Sequence, residues 1–424
     1  RMEEPANSIL CMEYYDYLII GNGVAGTTAA ETIRERDGAV SIAIVSDEPH
    51  PLYSRVLLPN YVKGLARREQ VFLRKAEDYQ TKNIALLAGE AAEGLNAATH
   101  TLNLSNGRTL GFSKLLITSG GRPSPLGIPG EELSGVSRFQ TIDDADRMIE
   151  LLAGARRAVV AGGSFIALEY LEILVNRGIP VTLVIPHPYF FSRFFDEAGG
   201  KFLHENFLRH GIEVVANERL AAIEGNGAVK GARLAGGSIL PADFIGAGIG
   251  LERNMAWLRN TGVELTEDGI ATDEFLETSL PGVFAAGDVA DFHDVTLGFR
   301  HTHGNWGNAF RQGELAGRNV VNPGSPEPYR SVTSYGIRNL GLAIAMVGHA
   351  SGGPGIEAVS RPDPAGATYA CFFLRENRLV GAVLINRPDD RPVITALIRD
   401  GVPLSEAAQV GLADPKFDIT SLVA

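Results

Sequence analysis

The sequence predicts an α/β protein with two doubly wound sheets, followed by a small α+β domain at the end of the chain. Three observations predict this fold class. The chain has 424 residues, enough for two to four domains at roughly 100–200 residues each. A unit of apolar strand, glycine turn and helix occurs twice, and the tail carries a hairpin pattern instead.

The repeated unit occupies residues 17–26 in its first copy and 158–167 in its second. Each copy opens with an apolar run typical of a parallel strand that is buried on both faces. A helical pattern follows, and then a second strand, predicted at 40–45 in the first copy and 181–185 in the second. This order is the βαβ arrangement of doubly wound sheets.

The tail differs from the rest of the chain. Two apolar runs, 369–374 and 379–385, are separated by four polar residues, which predicts a β-hairpin. Residues 391–400 are predicted to form a helix that ends at Gly401. The tail therefore predicts a separate α+β domain.

Composition excludes several classes of function. The formal net charge of −12 argues against binding to nucleic acid or to an anionic membrane, both of which require basic surfaces. The longest uncharged apolar runs, such as 340–347, are far shorter than the roughly 18 residues of a membrane span. No secretory signal is recognised, and Met2 or Met12 is expected to be the initiator.

Cysteine usage is sparse. Cys11 and Cys371 are the two cysteines of the sequence, and they form no CxxC pair. A disulfide scaffold, a thiolate zinc cluster and an all-cysteine iron–sulfur site are therefore excluded. A reducing, cytoplasmic compartment is the simplest expectation.

The first glycine turn has the full context of a dinucleotide-binding, Rossmann-like unit. Glycines serve a tight turn, a close approach to a pyrophosphate and helix–strand packing, and the helix N-terminus attracts the phosphates. An acidic pair ends the next strand, where it can accept hydrogen bonds from a ribose. A glycine turn without a ligand is the alternative. The predicted contacts are Gly21, Gly23, Val24, Ala25, Gly26, Asp47 and Glu48.

Three further segments carry a family resemblance. Residues 278–288 (TSLPGVFAAGD) resemble the second FAD fingerprint of flavoproteins that bind two dinucleotides, and residues 115–123 and 244–254 resemble two intermediate segments of the same proteins. The chain, over about residues 14–424, is similar to the FAD-dependent pyridine nucleotide-disulfide oxidoreductases, which are glutathione-reductase-like. The resemblance implies an FAD-binding domain at 14–125 with 256–327, an NAD(P)-binding domain at 126–255 and a C-terminal α+β interface domain at 328–424.

Within that superfamily, residues 48–59, 306–309 and 337–341 resemble rubredoxin reductases and the flavin module of NAD(P)H nitrite reductases. In such proteins the arginine that matches Arg55 neutralises the FAD pyrophosphate, and the aspartate that matches Asp288 binds the ribityl chain. A lone exposed arginine is the alternative for Arg55. The resemblance implies further FAD contacts at Arg55, Ser119, Gly120, Arg122, Gly287, Asp288, His303 and Trp306.

The redox cysteines of the family are missing. Disulfide reductases carry a cysteine pair near the flavin, and other relatives carry one cysteine in the segment that matches 53–60, where this chain has none. Cys11 and Cys371 are expected to be ordinary buried thiols. Electrons should therefore leave the flavin directly, without a thiol relay.

The second glycine turn departs from the pattern. Ser164 replaces the glycine that lets a pyrophosphate approach; its hydroxyl could also donate to a phosphate oxygen. Ile185 occupies the place of the ribose-binding acid, and His187 or Arg193 could reach a 2′-phosphate. NADH, NADPH and a vestigial site all remain open. The implied NAD(P) contacts are Gly162, Gly163, Ser164, Phe165, Ile166, Glu169, His187 and Gly248.

Glu169 is the one catalytic candidate, because it matches a glutamate that approaches the nicotinamide–flavin region in relatives; a generic helix glutamate is the alternative. His293, His301 and His303 follow Asp288 closely. They are too few for a closed metal site, so no metal is predicted. Contacts to flavin or nicotinamide and satisfied structural histidines are the two interpretations.

The primary hypothesis is an FAD-dependent oxidoreductase that transfers electrons, in either direction, between NAD(P)H and a one-electron carrier. The expected carrier is an iron–sulfur protein or partner subunit. The alternative is a flavin-bearing structural or regulatory subunit of a larger redox complex, with a decayed nicotinamide site. The resemblance also implies a homodimer or a subunit of a redox complex.

Overall fold

The computed structural model describes residues 12–363 and 365–423. Within them it contains twenty-five strands and nine α-helices. The strands are β1 Glu13–Ile20, β2 Ile42–Ser46, β3 Ile84–Ala88, β4 Ala92–Asn96, β5 Thr101–Leu104, β6 Thr109–Ile117, β7 Gly121–Pro123, β8 Val136–Arg138, β9 Ala158–Ala161, β10 Val181–Val184, β11 Glu213–Val215, β12 Leu220–Asn226, β13 Ala228–Leu234, β14 Ile239–Pro241, β15 Phe244–Ala247, β16 Leu251–Arg253, β17 Ile270–Thr272, β18 Val283–Ala285, β19 Ala290–Asp294, β20 Phe299–His301, β21 Ser334–Asn339, β22 Leu342–Gly348, β23 Glu357–Pro362, β24 Tyr369–Arg375 and β25 Arg378–Ile385. The α-helices are α1 Val24–Arg36, α2 Leu58–Val62, α3 Ala76–Thr81, α4 Ile142–Leu152, α5 Phe165–Asn176, α6 Glu197–Arg209, α7 Trp306–Val321, α8 Asp390–Arg399 and α9 Glu406–Gly411.

The chain divides into two compact units. The first contains the residues up to 53 together with 72–121 and 253–329, and the second contains 54–71, 122–252 and the residues from 330 onward. Residues 54–71 therefore leave the first unit after β2 and join the second. The regions predicted as an NAD(P)-binding domain and a C-terminal domain fall in one unit, where they form separate sheets; the three-domain division stays a prediction.

The first unit is built on a seven-stranded sheet with the order β3-β2-β1-β6-β5-β4, in which β18 pairs with β6. Strand β1 is parallel to both β2 and β6. Its C-terminal end is buried on both faces: Leu18 and Ile20 pack in one apolar cluster and Ile19 in another. This explains why the strand ends in an apolar run, although its first half is partly polar and exposed. Helices α1 and α7 pack against each other in this unit.

The second unit contains a parallel sheet with the order β11-β10-β9-β15-β8. In both sheets the order of the parallel strands reverses beside the first strand of the βαβ unit, between β1 and β6 and between β9 and β15, while β4 and β5 extend the first sheet as antiparallel strands. Such a switch point, at the carboxyl ends of the strands, is where doubly wound sheets bind ligands. The predicted fold class with two doubly wound sheets is confirmed.

The tail forms a five-stranded antiparallel sheet, β21-β22-β25-β24-β23, with α8 packed on β22 and β25. The predicted hairpin and helix are present as β24, β25 and α8. Strands β21, β22 and β23 were not predicted. Strands β21 and β23 form the two edges of the sheet and have partly polar sequences, whereas β22 is apolar throughout. Within the described residues, no helix has both the length and the apolar character required to cross a bilayer.

The crossing of α1 and α7 generates a stability prediction. A Cβ at Gly313 would lie 2.3 Å from the Ala25 carbonyl oxygen, because the two helices touch there through their backbones. We expect Gly313→Ala to destabilise the protein by about 2 kcal/mol or more, since a packed contact must open.

Gly307→Ala on the same helix is the matched control. A Cβ there has its nearest neighbour at 3.6 Å, so the change should be neutral, within about 0.5 kcal/mol, or slightly stabilising. Thermal and urea unfolding midpoints of the two variants check the comparison. Equal midpoints would contradict the helix contact.

Candidate functional site

The first glycine turn is shaped by the strand beside it. Gly21 follows β1 with φ +105°, and a Cβ there would lie 2.4 Å from the carbonyl oxygen of Thr118, the residue after β6. A Cβ at Gly26 would lie 2.0 Å from the Gly21 carbonyl oxygen. The Thr118 hydroxyl donates to the Ile20 carbonyl oxygen at 2.8 Å. Close backbone packing therefore requires glycine at both positions.

Gly23 is different. No other part of the described chain comes within 4 Å of the place where its Cβ would be, and its φ of −74° is open to any residue. The fold itself does not require glycine here. Gly23 is the N-cap of α1, and Val24 and Ala25 form the first turn of that helix. The open space above a helix N-terminus suits a pyrophosphate group, so the turn fits a dinucleotide.

The start of α7 and the segment before Asp288 lie beside this turn. Trp306, the first residue of α7, packs against Val24, Ala25 and Ala309. The Gly287 N–H donates to Gln312 Oε1 at 2.8 Å, which fixes the Ala286–Gly287 peptide, one residue before Asp288. The predicted residues Val24, Ala25, Trp306 and Gly287 are therefore brought together, and Asp288 follows directly on the fixed peptide.

The acidic pair ends the neighbouring strand. Strand β2 is parallel to β1, so Asp47 and Glu48 lie at the same edge of the sheet as the glycine turn. The Tyr53 hydroxyl donates to Glu48 Oε2, whereas Asp47 is exposed. His50, Tyr53 and Phe72 form an edge-on aromatic cluster below Glu48. Asp47 is thus the more accessible of the two carboxylates.

The remaining residues predicted to contact FAD divide between the units. In the first unit, the Ser119 hydroxyl donates to the Asn254 carbonyl oxygen at 2.7 Å and the Gly120 carbonyl accepts from the Asn254 N–H at 3.0 Å. Arg55 and Arg122 belong to the second unit. There Arg55 donates to the Gln140 carbonyl oxygen and Arg122 forms an exposed ion pair with Glu252. Their contacts with FAD stay predictions.

The three histidines differ in their burial and in their contacts. His301 Nε2 lies 2.9 Å from Asp294 Oδ2 in a fully buried pair, the arrangement of a structural histidine. The His303 ring meets the His301 ring edge to face, and the His303 carbonyl accepts from Asn308 Nδ2. His293 is partly buried on β19. No group of three or more potential metal ligands occurs among the described residues.

The second glycine turn packs against the end of the neighbouring strand, β15. Gly162 follows β9 with φ +109°, and a Cβ there would lie 2.2 Å from the carbonyl oxygen of Gly248, the residue after β15. The Ser164 hydroxyl donates to that same oxygen at 2.7 Å and accepts the Ala167 N–H as the N-cap of α5. In this structure the hydroxyl proton is directed to the Gly248 carbonyl oxygen, and its donation to a phosphate oxygen stays a prediction.

The strand end beyond the turn is apolar. Ile185 follows β10 and is 1% exposed, so the position predicted for a ribose-binding acid points into the core. A Cβ at Gly163 would have its nearest neighbour, the Phe191 nitrogen, at 3.6 Å, which is ordinary contact. His187 and Arg193 are exposed on the loop that follows. Their reach to a 2′-phosphate stays a prediction.

An aromatic group borders the first turn of α5. Phe165 begins the helix, and Ile166 follows it. The Phe165 ring lies 4.7 Å from the Phe191 ring and 5.3 Å from the Tyr335 ring, measured between centroids. The predicted residues 162–166 and Gly248 are thus gathered around one helix N-terminus.

Glu169 lies one turn further along α5. Burial raises the pKa of its carboxyl to about 8, with a further upward effect from Glu172 and an opposing effect from Lys63. Lys63 Nζ lies 2.5 Å from Glu172 Oε2 in a mostly buried ion pair. Glu169 is therefore protonated at neutral pH.

The described cysteine has no electrostatic partner that would activate it. Cys371 lies on β24, 1% exposed, and burial raises the pKa of its thiol to about 11. A thiol of this kind is a poor nucleophile at neutral pH, as expected for an ordinary buried thiol. Cys11 lies outside the described residues.

Several residues of these sites escaped sequence analysis. Thr118 packs against Gly21 in the first turn, and Gln312 accepts a hydrogen bond from the Gly287 N–H. Lys63 forms an ion pair with Glu172. The ion pair joins residues 109 positions apart, so no local pattern marks it. The position of Thr118 directly after β6 was the available signal, because the strand after the switch point must face the glycine turn.

Comparison with known proteins agrees with this geometry. Residues 15–313 match the family described as pyridine nucleotide-disulphide oxidoreductase, and residues 339–423 match a domain described as reductase C-terminal. The structure superposes on putidaredoxin reductase, solved as a covalent complex with putidaredoxin, with a TM-score of 0.88 at 24% identity, covering 96% of this chain and 98% of that one.

Two relatives illustrate the sequence likeness. The 5,5'-dehydrodivanillate O-demethylase ferredoxin reductase subunit of Sphingobium sp. is 29% identical over 97% of this chain and 99% of its own length. The nitrite reductase [NAD(P)H] of Bacillus subtilis is 25% identical over 94% of this chain. The chain spans about half, 49%, of that nitrite reductase.

Two of the three glycines of the first turn, Gly23 and Gly26, allow ligand binding to be separated from folding. Gly23→Ala should destabilise the FAD-free protein by no more than about 1 kcal/mol, because its Cβ enters open space and alanine is only a poorer N-cap than glycine. The same change should weaken FAD binding by tenfold or more, about 1.4 kcal/mol, since the methyl group occupies the pyrophosphate position.

Gly26→Ala is the matched contrast. Its Cβ would meet the Gly21 carbonyl oxygen, so it should lower the unfolding temperature even without FAD. Flavin fluorescence titration and calorimetry of the FAD-free proteins provide the two measurements. Undiminished FAD binding by Gly23→Ala would contradict the assignment.

Glu169 predicts a pH dependence of stability. Its pKa is raised from about 4.3 in the unfolded chain to about 8 in the folded one. The folded protein therefore holds a proton that the unfolded chain releases. Stability from this group should be fully present below about pH 4.5 and be lost as the pH rises to about 8, on the order of 3 kcal/mol with allowance for partial solvent screening.

Glu169→Gln provides the control for this slope, because glutamine does not titrate. Urea unfolding between pH 5 and 8.5 should show a flatter dependence of the unfolding free energy in the variant than in the wild type. Parallel curves would mean that Glu169 ionises normally in the folded protein.

Proposed function

The chain belongs to the pyridine nucleotide-disulphide oxidoreductase family, and we propose that it transfers electrons between NAD(P)H and a protein one-electron carrier through FAD. It is an FAD-dependent NAD(P)H oxidoreductase, since the family match covers both glycine turns. The observation that carries the proposal is the pair of switch-point turns, one in each parallel sheet.

The first turn supports FAD binding. Gly23 leaves the N-terminus of α1 open for a pyrophosphate, Asp47 lies at the adjacent strand end for a ribose, and Asp288 follows a peptide held by Gln312. The chemistry that FAD supplies when bound is the conversion of one two-electron hydride transfer into two single-electron transfers. The protein would position the dinucleotides, and the one cysteine of its described part, Cys371, is buried and so unsuited to a thiol relay.

The second turn supports a nicotinamide dinucleotide. Ser164 is drawn inward to the Gly248 carbonyl, so the turn keeps the form required for a helix N-terminus to face a pyrophosphate. The strand end offers no carboxylate, because Ile185 is buried there. The alternative of a decayed nicotinamide site rests on this missing acid.

The proposed partner is an iron–sulfur protein or subunit. The Sphingobium relative is named as a ferredoxin reductase subunit, and the superposed reductase was captured with putidaredoxin. Cys371 is the one free cysteine of the described residues and is buried, so they hold no cysteine set for a cluster. Any iron–sulfur centre in this electron path would belong to the partner.

Anaerobic reduction tests the proposal. The purified protein should contain FAD, and NADH or NADPH should bleach its flavin absorbance in a stopped-flow experiment. A [2Fe–2S] ferredoxin should then be reduced, whereas glutathione disulfide should not. Asp288→Ala should lower FAD occupancy, because the ribityl chain loses an acceptor.

Cys371→Ser is the control for a thiol relay. It should change turnover by less than tenfold, about 1.4 kcal/mol in the activation barrier. A larger loss with the fold intact would reveal such a relay. Absence of flavin reduction by either donor would favour the decayed-site alternative.

A further inference from the structure

A buried ion pair lies beside the second glycine turn. Lys63 follows α2 and Glu172 lies on α5; their side chains are 10% and 16% exposed, and Nζ and Oε2 are 2.5 Å apart. The other oxygen of Glu172 accepts the Leu340 N–H at 3.2 Å. Both carboxylate oxygens are therefore occupied, and the ammonium of Lys63 is committed to Glu172.

Glu169 stands one turn before Glu172 on the same helix. Side chains of a helix lean toward its N-terminus, so the Glu169 side chain is directed toward the first turn of α5, which contains Phe165 and Ile166. The side chain is partly accessible. Among the described residues the Glu169 carboxyl has no hydrogen-bond partner, which leaves it available to a ligand at the turn.

The charges around Glu169 are few. Strands β9, β10 and β15, which pack against α5, carry no titratable side chain. Strand β21 presents Tyr335, whose hydroxyl donates to Met346 Sδ, and the exposed Arg338. Tyr61 of α2 donates to Asp146. Lys63 and Glu172 are therefore the charged groups that act on Glu169.

We propose that Glu172 is a positioning residue that takes the charge of Lys63 and thereby keeps Glu169 neutral at the nicotinamide end of the bound dinucleotide. The inference rests on the proposed nicotinamide site and extends it to the release of the oxidised nucleotide. One buried cation balances one carboxylate, so a second carboxylate charge in the same place would be uncompensated.

Neutral Glu169 matters because the nicotinamide ring changes charge. When a hydride, with its two electrons, leaves the ring for the flavin, the neutral ring becomes a cation. A carboxylate beside the ring would attract that cation and retain NAD(P)+. A protonated Glu169 removes this attraction, so the oxidised nucleotide is released while the reduced one still binds.

The test compares a cationic ring with a neutral one in the FAD-loaded protein. NAD+ is the cationic probe, and 1,4,5,6-tetrahydro-NAD, which cannot donate a hydride, is the neutral probe; the NADP forms are used if NADPH proves to be the donor. Calorimetric dissociation constants are measured from pH 6 to 9.5. Their ratio cancels the contribution of the common pyrophosphate.

In the wild type, binding of NAD+ relative to the neutral probe should strengthen by about tenfold or more as the pH passes through about 8. Glu172→Gln frees Lys63 for Glu169 and should lower the midpoint by about 1 pH unit or more. Lys63→Gln should raise the midpoint, because it removes the attracting cation. Glu169→Gln should abolish the pH dependence of the ratio.

Asp146→Asn is the matched control. Asp146 accepts from Tyr61 and pairs with Arg68 at 2.9 Å, so this variant also loses a polar contact to residues 54–71 but no charge that acts on Glu169. Its midpoint should equal that of the wild type. A general loosening of the unit would instead move the control and Glu172→Gln together, which would overturn the inference.

Two outcomes separate the inference from the proposed function. If both probes bind but their ratio is independent of pH, or if Glu172→Gln and Lys63→Gln shift the midpoint in the same direction, the role of Glu172 is wrong while the nicotinamide site stands. If neither probe binds at any pH, the nicotinamide site itself is wrong. Opposite shifts of the two variants support the inference.

Discussion

Both sheets depend on one close backbone approach at the point where their strand order reverses. The peptide after β1 lies against Thr118, and the peptide after β9 lies against Gly248, at distances that exclude a Cβ. Each approach sets the direction of the following helix, and so places its N–H groups at the carboxyl edge of the sheet. The two candidate sites follow from this shared constraint.

The two turns use the same geometry differently. In the first, Gly23 offers no side chain to cap α1, so the N–H groups of the first turn of the helix are left for a ligand. In the second, Ser164 caps α5 internally through its hydroxyl. When no ligand is bound, a helix N-terminus that is capped by its own side chain is more stable than one that has no cap. This difference suits a resident FAD in the first site and an exchanging nucleotide in the second.

Within each unit, several charged side chains are held by a hydrogen bond or an ion pair. Glu48 accepts from Tyr53, and Asp196 accepts from Tyr369 at 2.8 Å. Lys63 is held by Glu172. Because buried charges are tolerated only when paired, the group left without such a partner, Glu169, becomes neutral instead. The formal net charge of −12 therefore does not predict the charge of the side chains that contact a bound nucleotide.

Sequence alone determined the fold class and both glycine turns, because these depend on local periodicity, on backbone freedom and on residue type; electron transfer without a thiol relay stays a prediction. Tertiary structure decided the rest. It placed residues 54–71 in the second unit, turned the Ser164 hydroxyl inward, buried Ile185 and joined Lys63 to Glu172. Each of these depends on contacts between residues distant in the chain, and neither burial nor pairing of a side chain is encoded within its own segment.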